Sequence, residues 1–375
     1  MSDVRVSDFN LADLTRMDQD EVARQMSICN ACRYCEGLCA VFPAMELRRA
    51  FDGTDVDYLS NLCHNCGACY DACQYAPPHE FGINVPQAMA DLRENSYPRY
   101  VWPAAFSGLF TRNAFWIGLA AVTFVAAFIA GVIGWHAAGA LFANYSGSGA
   151  FYHLIPHGVL VAIFGTLLGY AILAMTLSVR RFWRATHGGE PLEAGSIRQA
   201  IHDTATLRYL HGGGPGCTGV SGRPSDHRRW CHHATAYGFV LCLASTSLAT
   251  VCHYLGYEAP YPIWHPVVIL GVLGGIGLIA GPIGLLTGRP ASARGKSRTA
   301  DIGLVFIVML LATSVSGLAV LILRATPLMG LALTVHLGIV AALFVSLPYG
   351  KFVHGLHRVA ALVRHAHEQR AAARS

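Results

Sequence analysis

A chain of 375 residues, 53% apolar and only 13% charged, with a mean hydropathy of +0.41, carries more hydrophobic surface than one soluble core can hide. A bilayer is expected to solvate part of it, and a disordered chain is excluded. The net charge of +5 is small, and the basic residues gather between apolar runs, a pattern of membrane topology rather than of nucleic-acid binding.

Residues 1–98 carry ordinary charge and eight of the twelve cysteines, and they form the first expected domain. Residues 99–375, where long apolar runs begin after Arg112, form the second. No basic stretch followed by an apolar core opens the chain, so a secretory leader is not expected. That places the first domain in the cytoplasm, where disulfides are disfavoured.

Within that domain Cys29, Cys32, Cys35 and Cys39 read C-x2-C-x2-C-x3-C, and Cys63, Cys66, Cys69 and Cys73 repeat the pattern 34 residues on. Pro43 and Pro77 keep the same offset, so the segment is duplicated. Such short spacings bring three thiolates to one face of an iron–sulfur cube, while the fourth must arrive from elsewhere. In two-cluster proteins the last cysteine of each run crosses to the other cluster. The expected ligand sets are therefore Cys29, Cys32, Cys35 and Cys73 for one [4Fe–4S] cluster, and Cys63, Cys66, Cys69 and Cys39 for a second. A zinc knuckle would need two C-x2-C hooks with a longer spacer between them. Ala40 and Gln74 replace the proline that follows the fourth cysteine in small bacterial ferredoxins, a departure towards the helical ferredoxin modules of membrane-linked reductases. His64 and His79 stand beside the runs and are read as surface or outer-sphere residues.

Six apolar stretches follow, at 114–134, 157–179, 234–252, 266–287, 302–323 and 329–347, most near the roughly 20 residues a spanning helix needs. In lipid every backbone polar group must be paired internally, so all six are expected to be helices. The fold class is all-α, a two-cluster ferredoxin-like domain fused to a six-helix transmembrane bundle. Arg180, Arg181, Arg184, Arg198, Arg208, Arg223, Arg228 and Arg229 fill the second connection, and Arg289, Arg294, Lys296 and Arg298 the fourth. Connections 135–156 and 253–265 contain neither Lys nor Arg, and the fifth has only Arg324. The positive-inside rule then places both termini in the cytoplasm, with the chain in the inner membrane. The connection at about 180–230 includes a glycine-rich run ending in Cys217. It lacks the Lys-Ser/Thr ending of a phosphate loop and reads as a flexible linker without chemistry.

Ionisable residues inside a membrane are costly and point to function, with a histidine satisfied by a carbonyl as the plain alternative. His336 and His354 are 18 residues apart, five turns of one helix face, or about 27 Å. Two haems stacked across a bilayer would need that spacing. The third span is bounded by His232 and His233 on one side and His253 on the other, and the angular offset favours His232 over His233. An inner haem is thus expected on His232 or His233 with His354, and an outer one on His253 with His336. No C-x-x-C-H occurs, so any haem is b-type, one or two in number. His157 and His265, at outer depth, are alternatives to His253 or, with Tyr261, could line a quinone pocket. Cys231, Cys242 and Cys252 read as small packing residues.

The doubled cysteine run, the segment from Trp230 to Phe239 with Cys231, His232 and His233, the stretch from Ala249 to Tyr254 with His253, and His336 followed by Pro348 to Gly355 together resemble the tricarballylate utilisation protein B family, also called the citrate utilisation B type, over essentially the whole chain. The resemblance implies an iron–sulfur and haem b membrane protein. Such a protein reoxidises the reduced FAD of a partner dehydrogenase, tricarballylate dehydrogenase in that family, and passes electrons towards quinone. The residues themselves show no Rossmann fingerprint and no nucleophile–base set, so an electron-transfer subunit is expected rather than a dehydrogenase. Two other classes fit the cysteines: a heterodisulfide-reductase-like unit with Cys217 as its handle, and a redox-sensing cluster protein.

Overall fold

Helices of four to 22 residues build the cysteine module. They are α1 (Leu11–Cys32), α2 (Val41–Glu46), α3 (Gly53–Leu62), α4 (Ala68–Asp71) and α5 (Val85–Tyr100). Asp52 caps α3, its carboxylate accepting the backbone N–H groups of Thr54 and Asp55 at 2.8 Å each. The helix ends where Cys63 turns extended. Asn84 caps α5 by accepting the Gln87 N–H, with Pro86 in the first turn where its missing donor costs nothing. Val22, Met26, Phe42, Met45, Tyr58, Leu59, Leu62, Met89 and Leu92 close the core between these helices. The computed structural model describes residues 11–145, 147–187, 189, 191–214, 216–218, 223–257, 259–288 and 302–374.

Beyond α5 come α6 (Asn113–His136), α7 (Ala150–Leu154), α8 (His157–Thr186), α9 (Ala194–Ala205), α10 (His227–Tyr254), α11 (Pro266–Thr287), α12 (Ile302–Leu323), α13 (Met329–Ser346) and α14 (Val353–Ala372). All six expected spans are helices long and apolar enough to cross a membrane. Val122, Ile172, Leu173, Val240, Ile276 and Ile322 lie exposed on their outer faces, as lipid contact requires. Trp135, Tyr254, Tyr257 and Trp264 are exposed at the end of the bundle away from the cysteine module, where an interfacial aromatic belt belongs. Helices α8 and α10 run past the apolar stretches, the first through Arg180, Arg181 and Arg184 and the second from His227. Backbone pairing carries a helix beyond the edge of lipid, and only the side chains change character. Helix α11 lies close against α10 through glycines: a Cβ on Gly277 would sit 2.8 Å from the Ala234 carbonyl oxygen, and one on Gly281 2.7 Å from that of Cys231.

Two sequence expectations are corrected. His336 and His354 do not share a helix face: α13 ends at Ser346, residues Leu347–Tyr349 form a 3-10 turn, and α14 starts at Val353. Pro348 has no N–H to continue the ladder, and its ring excludes the preceding turn. The connection at 180–230 is no loose linker, because it contains the end of α8, all of α9, a 3-10 turn at Arg208–His211 and a two-residue antiparallel pair, β1 (Cys217–Thr218) with β2 (Pro224–Ser225). Ser221 and Gly222 of its glycine-rich part, and Arg289, Arg294, Lys296 and Arg298 of the fourth connection, lie outside the described residues.

The cysteine module and the bundle share one core, in which Phe182 of α8 and Ala360, Ala361, Leu362 and Val363 of α14 pack with Tyr58, Leu59 and Leu62 of α3. Polar locks reinforce it. Arg48 bridges Asp55 at 2.7 Å and Glu368 of α14 at 2.6 Å, and the Tyr58 hydroxyl donates to Glu368 at 2.9 Å.

Helix α3 delivers Cys63, so its cap is a sensitive test. The backbone N–H of Asp55, aided by Thr54, holds the Asp52 carboxyl below its ordinary range. Asp52→Ala should open α3 by about 1 kcal/mol at neutral pH, read as faster amide hydrogen exchange along the helix. Because the folded value is depressed, the difference is complete above about pH 4 and fades as pH falls through the folded value. Equal exchange in both proteins at neutral pH would remove the cap from the account.

Candidate functional site

Cys29 and Cys32 close α1, Cys35 occupies the turn after it, and Cys73 follows α4. The turn is made by Arg33, whose φ of 55° is left-handed; 34 residues on, Gly67 repeats the feature with φ of 85°. In each run the residue after the second cysteine thus reverses the chain, so that the third thiol returns towards the first. Cys29, Cys32, Cys35 and Cys73 line one cavity of about 260 Å3 together with Phe42, Tyr75 and Ile83. Burial pushes the Cys29 thiol up to about 12 and the Cys35 thiol up to about 11, and neighbouring thiols add to both shifts.

The other four cysteines gather deeper. Burial pushes the Cys39 and Cys69 thiols well up, then Cys66 and Cys63 act on Cys39, and Cys39, Cys63 and Cys66 act on Cys69. Cys63 and Cys66 are buried, Cys39 and Cys69 are half-buried like the four cysteines of the first set, and Tyr34 is exposed beside the first set. The sets adjoin, since Cys35 also acts on Cys69. Among the described residues no three Cys, His, Asp or Glu side chains are drawn together as for a single ion. The first set surrounds a space instead of converging on a point, as a four-iron body requires.

Positive charge is supplied from behind. Arg93 of α5 donates to the Cys63 carbonyl at 2.6 Å and the Ser60 carbonyl at 3.0 Å, and Arg358 of α14 donates to the same Cys63 oxygen at 2.7 Å. Neither guanidinium is paired with a carboxylate among the described residues, and Arg93 Nε is buried without any partner. Buried Arg93 and half-buried Arg358, neither paired with a carboxylate among the described residues, fit an anionic group held by the adjoining thiolates.

His64, read from the sequence as a surface or outer-sphere residue, is buried, and its Nδ1–H donates to the Leu62 carbonyl at 2.8 Å. Burial, then Arg358, keeps it neutral, and His232 lies within electrostatic reach. His79 remains near the surface, accepting the Phe81 N–H.

At the near end of the bundle the rings of His232 and His354 meet edge to face, 6.2 Å apart between centroids with their planes at 69°. The Nδ1–H of His354 donates to the Lys351 carbonyl, which leaves its Nε2 available, while His232 Nδ1 is buried without a partner. His233 turns away and stacks on Tyr237. At the far end no ring contact joins His253 to His336 among the described residues. His253 stacks on His157 at 3.7 Å with Tyr152 against both, and His336 is hydrogen bonded through Nδ1 to Ser316 at 2.9 Å. His265 stacks on Tyr261 and caps α11 by accepting the Val267 N–H. Cys242 and Cys231 lie against Gly274 and Gly284, and Cys252 is buried, all in packing positions.

Sequence reasoning missed Arg93, Arg358 and the contact of Cys217 with the cysteine module. Only Arg358 carried a signal, standing four residues after His354 and so on the same face of a helix.

Doubled thiolate sets in a helical module, joined through a shared core to six apolar helices, are the plan of a membrane iron–sulfur protein. The chain belongs to the citrate utilization protein B family. The family model for citrate utilization protein B matches residues 108–375, and that for its Fer4-like domain matches residues 22–99. Against the citrate utilization protein B of Escherichia coli the chain is 48% identical over 354 residues, covering 93% of this chain and 92% of that one. No solved structure matches.

Proposed function

We propose that this protein is an electron-transfer subunit of the inner membrane that reoxidises the reduced FAD of a partner dehydrogenase and passes the electrons to quinone. The partner belongs to the use of citrate or a related tricarboxylate, as the relative's name indicates for that protein. The observation that carries the reading is that two adjoining cysteine sets, the second with Cys63 and Cys66 buried, are tied through Arg358 to the helix that bears His354 of the histidine pair at the membrane edge. Cys29, Cys32, Cys35 and Cys73 would hold one [4Fe–4S] cluster; Cys39, Cys63, Cys66 and Cys69 the other. His232 and His354, whose ring centroids lie 6.2 Å apart, would hold a b-type haem. When bound, these groups supply one-electron carriers between a two-electron flavin and a two-electron quinone.

The remaining work belongs to the chain. The half-exposed first set, with Tyr34 beside it, offers the side from which a soluble flavoprotein can approach. Arg93 and Arg358 favour added negative charge at the inner set, and Arg358 shares α14 with His354, so the two sites keep a fixed separation. The arginine-bearing ends of α8, α10 and α14 lie on the module side, which supports a cytoplasmic module by the positive-inside rule. Either histidine group at the far end, His253 with His157 and Tyr152 or His265 with Tyr261, offers protonatable groups for a quinone. The thiol-chemistry reading is disfavoured because its handle, Cys217, is 2% exposed.

Two substitutions test the order. Cys35→Ser should damage one cluster and slow haem reduction by the reduced flavoprotein about ten-fold or more. Stopped-flow absorbance reads the rate, and a wild-type value would break the proposed route. His354→Ala should remove the haem of the near end, lowering haem per chain to none, or to half if a second haem sits at the far end. Unchanged haem content would move the ligands elsewhere.

A further inference from the structure

The connection between α8 and α10 packs against the second cysteine run, and glycines shape it to do so. Gly212 has φ of 58°, and a Cβ there would meet the Gly216 oxygen at 2.5 Å and the Ala68 Cβ at 3.0 Å. Gly213 has φ of 80° and lies against Leu38, and Gly216 has φ of 101° with the Ser225 backbone 2.5 Å from where a Cβ would stand. The Gly216 N–H closes this turn onto the His211 carbonyl at 2.7 Å. From the base of α10, Arg228 donates to the Asn65 carbonyl and so ties the connection to the turn between Cys63 and Cys66. Cys217 follows immediately, fixed in register by β1 with Ser225 across from it, and it is buried in one cluster with Cys66 and Leu210.

We propose that Cys217 is a positioning residue of the inner cluster, its thiol donating a hydrogen bond to the sulfur of Cys66 and raising the potential of that cluster above that of the outer one. This rests on the reading of Cys66 as a ligand and deepens it. The Cys217 thiol donates to the Leu210 carbonyl at 3.0 Å and is buried in one cluster with Cys66. Once Cys66 is a ligating thiolate, a charge-assisted bond to its sulfur wins over the neutral carbonyl. A donor to a cluster sulfur stabilises the more negative, reduced state and moves the potential upward. An inner cluster of higher potential makes transfer from the half-exposed set towards His232 and His354 downhill, so direction is set by a residue contributed from the membrane domain.

The test uses the full-length holoprotein in detergent under anaerobic conditions, with iron and acid-labile sulfide assayed first. Absence of sulfide in the wild type defeats the electron-transfer reading itself. With sulfide present, an EPR-monitored redox titration reads the two clusters separately. Cys217→Ala is expected to shift one cluster to more negative potential and leave the other unmoved, while Cys217→Ser, which keeps a donor, stays near or above wild type. Unchanged potentials in Cys217→Ala, or equal shifts in Ala and Ser, would overturn the proposal, the second result pointing to packing alone. Should Cys217→Ala shed sulfide, Cys217→Ser decides. Its stronger donor is expected to leave the potential of that one cluster at or above wild type, and a negative shift overturns the proposal.

Discussion

The carbonyl oxygen of Cys63 accepts hydrogen bonds from two guanidiniums, buried Arg93 at 2.6 Å and half-buried Arg358 at 2.7 Å, and much of the molecule follows from that junction. A buried cation is costly unless it is paired, and here the counter-charge is left to the thiolates alongside. Arg358 stands one turn after His354 on α14, so the bond that anchors the cysteine run also fixes the histidine at the edge of the bundle. The two domains are therefore one body at this point. The shared apolar core of Leu62, Phe182 and Leu362, and the Arg48–Glu368 bridge, keep it so.

That rigidity separates this arrangement from a ferredoxin tethered by a flexible linker. A tether would leave the distance between carriers to diffusion, whereas helices α8 and α14 enter the cysteine module itself. Cys217 extends the same logic, since the membrane domain lends a thiol to the second set.

Much of the plan was legible in the sequence because it rests on periodicities. The 34-residue repeat grouped the cysteines into two runs, and lipid demands helices wherever about 20 apolar residues run without charge. Depth put His232 or His233 opposite His354 and the helical offset favoured His232, whose ring is the one in contact with His354. Less legible was whatever depends on a break or a long-range contact. A single proline, Pro348, turned one helix into two and voided the face arithmetic between His336 and His354. The glycine-rich connection looked loose because positive-φ glycines read the same whether a turn is free or clamped, and only the tertiary contacts of Gly212, Gly213 and Gly216 distinguish the two. Between the surface and outer-sphere readings of His64 the sequence could not choose, because Arg358 of α14, which acts on the buried ring, stands nearly 300 residues away and leaves no local trace.

The central claim is that thiolate-held iron in the module and histidine-held iron at the membrane edge form one conducting line. Metal and cofactor content of anaerobically purified full-length protein tests it most directly. The account predicts about eight acid-labile sulfides per chain, from two cubane clusters, together with b-type haem whose bands become reduced when a reduced flavoprotein is added. Colourless protein, or zinc in place of iron, would contradict it.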